Sequence, residues 1–186
     1  MPSLTEENAI IEKFFPSSYV VVDIETTGVS PTKNEIIELS AIRVTDNKIT
    51  GTFSKLIKPK GRISSFITSL TGISNQMVSD KEPIEDVIGD FCNFVGGSVV
   101  LGHNVRFDMS FIRTNGKRIL GHDFLNSTID TLRISRLLLR DIRNHRLVTL
   151  AEHYGISSLG HHRGLVDCEI TYQVHQKLRK ELDSIR

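Results

Sequence analysis

Apolar residues fill nearly every position of one short segment near the start of the chain. Residues 19–24 read Tyr-Val-Val-Val-Asp-Ile, which is typical of a central strand that is covered on both faces. Two further strands are predicted over 35–44 and 48–57, and Asp46-Asn47 between them is a hairpin turn signal. The first three strands are therefore expected to form an antiparallel meander.

Helical and strand patterns alternate after this meander. Short helical pieces surround a break at Thr71-Gly72, and strands are predicted over 98–101 and 127–130. Longer helices are predicted over 83–94, 107–118, 131–140, 147–154 and 165–182. Strands in a meander, followed by strands that alternate with helices, predict an α/β fold: a mixed five-stranded sheet with helices on both faces.

Length and composition limit what such a fold can carry. A chain of 186 residues with 39% hydrophobic residues suits one core, so a single domain over 1–186 is expected, with its motifs between about 19 and 182. Cys92 and Cys168 lie in apolar helical patterns and are expected to be core residues rather than zinc ligands or a disulfide. Residues 1–16 lack the order of a signal peptide and no apolar run approaches 18 residues, so a soluble, cytoplasmic protein without a membrane partner is expected.

Four acidic residues are predicted to point toward the interior. Alternate residues of a strand share a face, so Asp23 and Glu25 present their carboxylates on the same side. Asp108 and Asp167 each lie on the apolar stripe of a predicted helix. A buried carboxylate needs a positive partner, and divalent cations with oxygen ligands fit best, which predicts a site for Mg²⁺, or Mn²⁺ in its place.

Each of these residues also has a purely structural interpretation. Asp23 could be a turn residue at the end of a strand, and Asn104 with Asp108 could cap a helix. Asp167 could complement a helix dipole in the first turn. These interpretations are reasonable for each residue singly, but they do not explain why all of the acids occur together in this order.

Three motifs and two flanking segments resemble the DnaQ-like, DEDDh family of exonucleases, from about residue 19 to residue 182. The segments that carry the resemblance are Val22-Asp23-Ile24-Glu25-Thr26-Thr27-Gly28, Leu70-Thr71-Gly72-Ile73-Ser74, Gly102-His103-Asn104-Val105-Arg106-Phe107-Asp108, His145-Arg146-Leu147 with Leu150-Ala151, and His162-Arg163-Gly164-Leu165-Val166-Asp167. Gly164 is one departure, because the family often has Ala there. The missing methyl group is expected to loosen the start of the helix more than it harms the chemistry.

The resemblance implies an RNase H-like fold and removal of nucleotides from a 3′ end. By position, it implies metal ligands at Asp23, Glu25, Asp108 and Asp167, and a general base at His162. The motifs are most similar to the proofreading exonucleases of bacterial replicative polymerases, either the epsilon subunit or the exonuclease domain of the PolC type. A replicative DNA polymerase is therefore an expected partner.

The histidines differ in the roles that their spacing predicts. An imidazole with an ordinary pKa of about 6.5 can accept a proton near neutral pH, and its five-residue offset from Asp167 favours His162 as the base. His161 is expected to lie in an exposed loop. His103 is expected to support the site, and His145 to have a structural or capping role.

Substrate contacts are predicted around the first two motifs. Thr26, Thr27 and Gly28 follow the first acids in a turn whose backbone N–H groups could hold the terminal nucleotide, and Val29 could press against its base. In the second motif, His103 and Asn104 are further candidate substrate contacts. A basic stripe could follow a phosphate backbone, and its residues are Arg133, Arg136, Arg140, Arg143 and Arg146. Arg106 and Arg163, which lie inside the motifs, are stronger candidates for contact with DNA.

The sequence therefore predicts a metal-dependent 3′ to 5′ exonuclease that acts on single-stranded or frayed DNA. Two divalent cations, roughly 3.5 to 4 Å apart, would clamp the scissile phosphate. Trimming of RNA 3′ ends is the alternative within enzymes. A nucleic-acid-binding or polymerase-binding module with a vestigial site is the alternative from another class, but such a module would not need all four acids and the histidine.

Overall fold

The computed structural model describes residues 13–184, and within them five strands form one mixed sheet. The strands lie in the order β3-β2-β1-β4-β5. β1, β2 and β3 pair antiparallel, whereas β4 runs parallel to β1 and β5 runs parallel to β4. Their bounds are Tyr19–Thr26 for β1, Ile36–Thr45 for β2, Lys48–Leu56 for β3, Val100–Gly102 for β4 and Thr128–Asp130 for β5.

Seven helices accompany the sheet within the described residues. Two short ones are α1, Ser65–Thr71, and α2, Asn75–Val78. Each is directly preceded by a serine, Ser64 or Ser74, whose hydroxyl accepts a hydrogen bond from a backbone N–H of the first turn. The others are α3, Ile84–Val95; α4, Arg106–Leu120; α5, Thr131–Leu138; α6, Leu147–His153; and α7, Gly164–Ser184. The predicted order of elements is confirmed, with bounds that differ by at most two residues. None of the helices in this part of the chain has the length and apolar content that crossing a membrane requires.

The two faces of β1 pack against different layers. Tyr19 and Val21 lie in one apolar cluster with residues of α6 and α7. Val20 and Val22 lie in another with residues of α3 and α4. The continuous apolar run in β1 is thus explained by helices on both sides of the sheet. Asp23 continues the alternation of Tyr19 and Val21 and therefore faces the α7 side.

The meander places two turns at opposite ends of the sheet. Asp46 and Asn47 both adopt positive φ, 49° and 60°, as a tight hairpin between β2 and β3 requires. At the other end, the register of β1 and β2 shifts between Glu25 and Thr26, directly after the pair Glu25 and Glu38. This irregularity releases the backbone from the ladder at the point where the first acids of β1 lie.

Candidate active site

Carboxylates from β1 and α7 meet at the carboxyl end of the central strand. Oxygen atoms of Asp23, Glu25 and Asp167 lie within 4.8 Å of one another. The shared face that was predicted for Asp23 and Glu25 is therefore observed, and Asp167 reaches them from the first turn of α7. Such a cluster of oxygens is the donor set that hard divalent cations prefer.

Asp108 reaches the same place from the other face of the sheet. It is buried in the first turn of α4, as its apolar stripe predicted. Its Oδ1 accepts a 3.2 Å hydrogen bond from the backbone N–H of Ile24. β4 pairs with β1 only at Val20 and Val21, so Ile24 lies beyond the end of this ladder and the carboxylate takes the place of a strand partner.

The electrostatics of the cluster favour an added positive charge. Burial, followed by the charge of Asp108, raises the pKa of Asp23 well above its usual range. Burial also raises the pKa of Glu25 and of Asp108 to about 8 each. The Oδ2 atom of Asp23 is buried and has no hydrogen-bond partner among the described residues. A bound cation would give this oxygen a partner, so the residues present fit a metal site.

Removal of metal should make the stability of the protein depend on pH. Because the pKa values of Asp23, Glu25 and Asp108 are raised in the folded state, this state binds protons more tightly than the unfolded chain does. The free energy of unfolding therefore falls as the pH rises from about 4 to about 8. One pKa unit corresponds to about 1.4 kcal/mol and 1 kcal/mol to roughly 2 to 4 °C, so in EDTA we expect Tm to fall by at least about 5 °C between pH 5 and pH 8.

The check is a series of melting curves in EDTA and in saturating Mg²⁺ over this pH range. Mg²⁺ should flatten the dependence, because bound cations keep the carboxylates ionised. A Tm that rises from pH 5 to pH 8 in EDTA would contradict the raised pKa values.

Both histidines of the third motif lie beside Asp167. His161 Nδ1 is 2.5 Å from Asp167 Oδ1, and the backbone N–H of His162 donates to Asp167 Oδ2 over 3.1 Å. The two imidazole rings are 3.9 Å apart between centroids. The expectation of an exposed loop at His161 is wrong, because its side chain is only 23% exposed and holds Asp167. A second offset, six residues from His161 to Asp167, is a sequence signal for this contact.

His162 has an unusual backbone and a shifted pKa. Its φ is 69°, in the left-handed region that non-glycine residues seldom adopt. Burial and, after it, the neighbouring His161 lower the pKa of the His162 imidazole. The ring is therefore neutral at pH 7 and can accept a proton there.

Glu38 is a further buried acid of the site that the sequence analysis did not identify. It is 2% exposed and lies opposite Glu25 in the register of β1 and β2. Its Oε2 accepts the backbone N–H of Gly164 over 3.0 Å, and its Oε1 is 3.3 Å from Nη2 of Arg163. Arg163 thus pairs with Glu38 within the protein, but its side chain is 45% exposed, so its contact with DNA stays a prediction. A lone acid in the apolar run Ile36-Ile37-Glu38-Leu39 was the available signal.

Gly164 fits closely against β2. An added Cβ would lie 2.7 Å from Ser40 Oγ and 2.9 Å from Ser40 Cβ, closer than such atoms approach in proteins. The expectation that the missing methyl group loosens the start of α7 is therefore wrong, because Ser40 fills that space. An added Cβ at Gly164 would also lie 3.5 Å from Asp23 Oδ2, so this glycine packs beside the acidic cluster.

We expect Gly164→Ala to destabilise the protein by roughly 1 to 3 kcal/mol, because it overpacks a buried contact. It should also lower activity, because α7 carries Asp167. Ser40→Gly in the same chain should restore most of both losses, since it removes the opposing atoms. Denaturant unfolding of the single and double variants, analysed as a cycle, measures this coupling; losses that simply add would show that Ser40 is not the obstacle.

The turn after β1 uses much of its polar capacity internally. The N–H of Thr27 donates to the carbonyl of Glu35, and the hydroxyl of Thr27 accepts the N–H of Glu35. The hydroxyl of Thr26 donates to the carbonyl of Gly28 over 2.7 Å, and Gly28 has no room for a side chain beside Asn34. Thr26, Thr27 and Gly28 therefore shape the turn, and the N–H of Thr27 is not available to a nucleotide. Val29 is 83% exposed and available for contact.

The second motif is held at the ends of β4 and β5. His103 Nδ1 is 2.9 Å from the hydroxyl of Thr131, and burial lowers the pKa of this histidine to about 4. Asn104 is exposed and has a φ of 63°, and its N–H donates to Asp130 Oδ1 over 2.9 Å. The Nδ1 atom of His103 is thus engaged with Thr131, whereas the side chain of Asn104 is exposed, and contact of either residue with the substrate stays a prediction.

The mixed sheet in this strand order has the RNase H-like fold of exonucleases I and X, and the carboxylates gather at the end of its central strand. A family model for exonucleases, RNase_T, matches residues 20–175, and the chain belongs to this family. The resemblance to DnaQ-like exonucleases is thereby confirmed.

Relatives and solved structures agree with this assignment. The chain is 41% identical over 185 residues to a PolC-type DNA polymerase III of Caldanaerobacter subterraneus subsp. tengcongensis, which covers 100% of this chain and 13% of the relative. It is 38% identical over 176 residues to the PolC-type DNA polymerase III of Clostridium perfringens, covering 92% of this chain and 12% of the relative. The chain thus spans about an eighth of the length of these relatives.

Solved structures show the same fold. Exonuclease X in complex with 5′ overhanging duplex DNA has a TM-score of 0.68 and 28% identity, over 89% of this chain and 91% of that chain. E. coli exonuclease I in complex with a dT13 oligonucleotide has a TM-score of 0.79 and 22% identity, over 91% of this chain and 42% of that chain.

Proposed function

We propose that this chain is a metal-dependent exonuclease that removes nucleotides from the 3′ end of single-stranded or frayed DNA. The observation that carries the proposal is the cluster of carboxylates at the end of β1, in which the buried Oδ2 of Asp23 has no hydrogen-bond partner within residues 13–184. Membership of the exonuclease family supports it. The DNA bound to exonucleases X and I in their solved structures supports DNA as the substrate.

Asp23, Glu25, Asp108 and Asp167 would hold two Mg²⁺ ions, or Mn²⁺ in their place. The four carboxylates come from three elements, β1, α4 and α7, and bound cations would offset their mutual repulsion. When bound, the ions would lower the pKa of the attacking water and offset the charge that develops on the phosphate and the leaving 3′ oxygen.

His162 is proposed as the general base that accepts the proton of the attacking water. Its lowered pKa leaves the imidazole neutral near pH 7. His161 is less suited, because its Nδ1 is already engaged with Asp167. His161 would instead orient the Asp167 carboxylate, which belongs to both the acidic cluster and the histidine cluster.

Glu38 is proposed as a positioning residue for the third motif. By accepting the N–H of Gly164 and pairing with Arg163, it fixes the two residues that directly follow His162. The strained backbone at His162 needs such support, because a left-handed φ persists only where the surroundings impose it. Glu38 thus links the β1–β2 register to the orientation of the proposed base.

The PolC-type relatives support a role in proofreading beside a replicative DNA polymerase in the cytoplasm. A proofreading enzyme must accept a frayed end rather than read a sequence, which suits a site made of carboxylates and an exposed Val29. An association with a polymerase is part of the proposal and requires its own binding measurement.

Matched DNA and RNA oligonucleotides, labelled at either the 3′ or the 5′ end, test the proposal directly. With Mg²⁺, 3′-labelled DNA should release labelled mononucleotide at once, whereas 5′-labelled DNA should shorten in single steps; EDTA should stop both. Faster cleavage of RNA would assign the chain to RNA trimming. If neither polymer is cleaved, the chain is a binding module rather than a nuclease.

A further inference from the structure

A groove lies beyond the β5 edge of the sheet, separate from the acidic cluster. It encloses about 720 Å³ between α4 and α5, with residues of β5 between them. β5 is the last strand of the sheet, so this edge is not covered by a further strand among the described residues. None of the functions proposed above uses the groove.

The groove is positively charged. Four exposed arginines line it, and these are Arg106, Arg113, Arg133 and Arg136. Asp130 is the only acid that lines it within residues 13–184, and its Oδ1 already accepts the N–H groups of Asn104 and Leu132. Within the same residues, no ion pair engages Arg106, Arg133 or Arg136. The charge of the groove is therefore available to an anionic partner.

The predicted basic stripe is only partly present. α5 ends at Leu138, so Arg140, Arg143 and Arg146 do not continue its face, and Arg143 pairs with Glu152. Arg133 and Arg136 instead face Arg106 and Arg113 of α4 across the groove. The cationic surface is therefore built from two helices rather than from one continuous stripe.

Apolar surface accompanies the charge. Leu137 is 72% exposed at the groove, and the side chain of Leu132 is partly exposed. Cations that can bind phosphates, next to apolar side chains that can contact bases, match the alternating chemistry of a single nucleic-acid strand.

The groove and the acidic site share helix α4. Asn104, which lines the groove, directly follows His103 in the second motif. Arg106 and Arg113 face the groove, whereas Asp108 between them faces the acids of β1. One helix thus presents a metal ligand candidate on one face and cations on another.

We infer that the groove binds the phosphate backbone of the substrate strand several nucleotides away from the 3′ end that is cleaved. This inference rests on the proposed nuclease function. It adds a binding surface that determines affinity for long strands, while the acidic site alone determines cleavage. An acidic protein segment is the other anionic occupant, but helix α4, which carries both groove arginines and Asp108, and the exposed Leu137 beside the cations favour the nucleic acid.

The test compares Arg133→Gln/Arg136→Gln with Lys48→Gln/Lys177→Gln, which removes two exposed cations from other parts of the surface. Binding of a 12-nucleotide single-stranded DNA is measured by fluorescence anisotropy between 50 and 200 mM salt, in EDTA so that no cleavage occurs. The arginine variant should bind at least about fivefold more weakly, and the slope of log K against log salt should fall by about 1.4, since each lost contact contributes about 0.7. The lysine variant should match the wild type.

Cleavage of a small chromogenic ester of thymidine 5′-monophosphate separates this inference from the proposed function. Its rate should be equal in the wild type and both double variants, because the ester cannot reach the groove. Equal DNA affinities and salt slopes for the two double variants, with normal ester cleavage, would overturn the groove but not the nuclease. Binding of poly-glutamate is measured in the same way. If the arginine variant binds DNA normally but loses binding to poly-glutamate, the inference is overturned in favour of an acidic protein partner.

Discussion

We expect Asp23→Asn to reduce DNA cleavage by at least about 10³-fold and, at the same time, to stabilise the metal-free protein. Metal ions stabilise such transition states by several kcal/mol, and about 1.4 kcal/mol corresponds to a factor of ten in rate. Asp23 contributes the buried oxygen that has no hydrogen-bond partner in the described part of the chain, so its carboxylate has the strongest requirement for a cation. An amide of the same shape cannot replace an anionic ligand.

The gain in stability follows from the same electrostatics. Burial and four neighbouring carboxylates raise the pKa of Asp23, which means that the ionised form is unfavourable in the folded, metal-free protein. Asparagine removes that charge. Tm in EDTA should therefore rise at pH 8, and the difference from the wild type should shrink toward pH 5, because the raised pKa of Asp23 favours its protonated form as the pH falls.

Cleavage assays in Mg²⁺ and melting curves in EDTA measure both effects on one set of samples. Asp90→Asn is the matched control, because Asp90 is exposed on α3 and lies outside the cluster. It should change neither quantity. An active Asp23→Asn protein would remove the basis for the whole metal assignment, whereas an inactive variant with a lowered Tm in EDTA would show that Asp23 has a structural role.

Features of the fold that depend on local patterns could be predicted from the sequence. The apolar run before Asp23 predicted a strand covered on both faces, and the apolar stripes of α4 and α7 predicted that Asp108 and Asp167 point inward. Period and burial are properties of single segments, so one sequence contains them. The resemblance to a known family then brought the segments together, which spacing alone could not do.

Other features depend on contacts between distant segments, and these could not be predicted. Glu38 contacts Arg163 and Gly164, which lie more than 120 residues later in the sequence. The contact between His161 and Asp167 could not be predicted, because it depends on how the chain turns before α7, where His162 adopts a left-handed φ. Long-range register and a strained turn leave no periodic signal.

The glycine at position 164 shows how one distant contact can reverse an interpretation. From the sequence alone, a missing methyl group suggests a weaker start of α7. The structure shows that β2 supplies the missing volume through Ser40. Whether a small residue loosens or completes a site therefore depends on its neighbour in space, and that neighbour lies 124 positions away.

The second large effect is expected at His162. We expect His162→Asn to lower kcat by roughly 10² to 10⁴-fold, because proton transfer by a positioned side chain contributes about this much to a rate. Asparagine is the suitable replacement, since it tolerates the left-handed backbone at this position and cannot accept a proton near neutral pH. Binding of Mg²⁺ and of DNA should remain close to that of the wild type, because the carboxylates are retained.

The pH dependence of kcat separates the base from its neighbour. In the wild type, kcat should rise with pH through the lowered pKa of His162 and then level off. His162→Asn should lose this rise. The matched variant His161→Asn removes the side-chain contact with Asp167, so it should weaken Mg²⁺ binding while the rise in kcat is retained. The opposite result, in which His161→Asn loses the pH dependence and His162→Asn keeps it, would assign the base to His161 and make His162 the residue that shapes the turn.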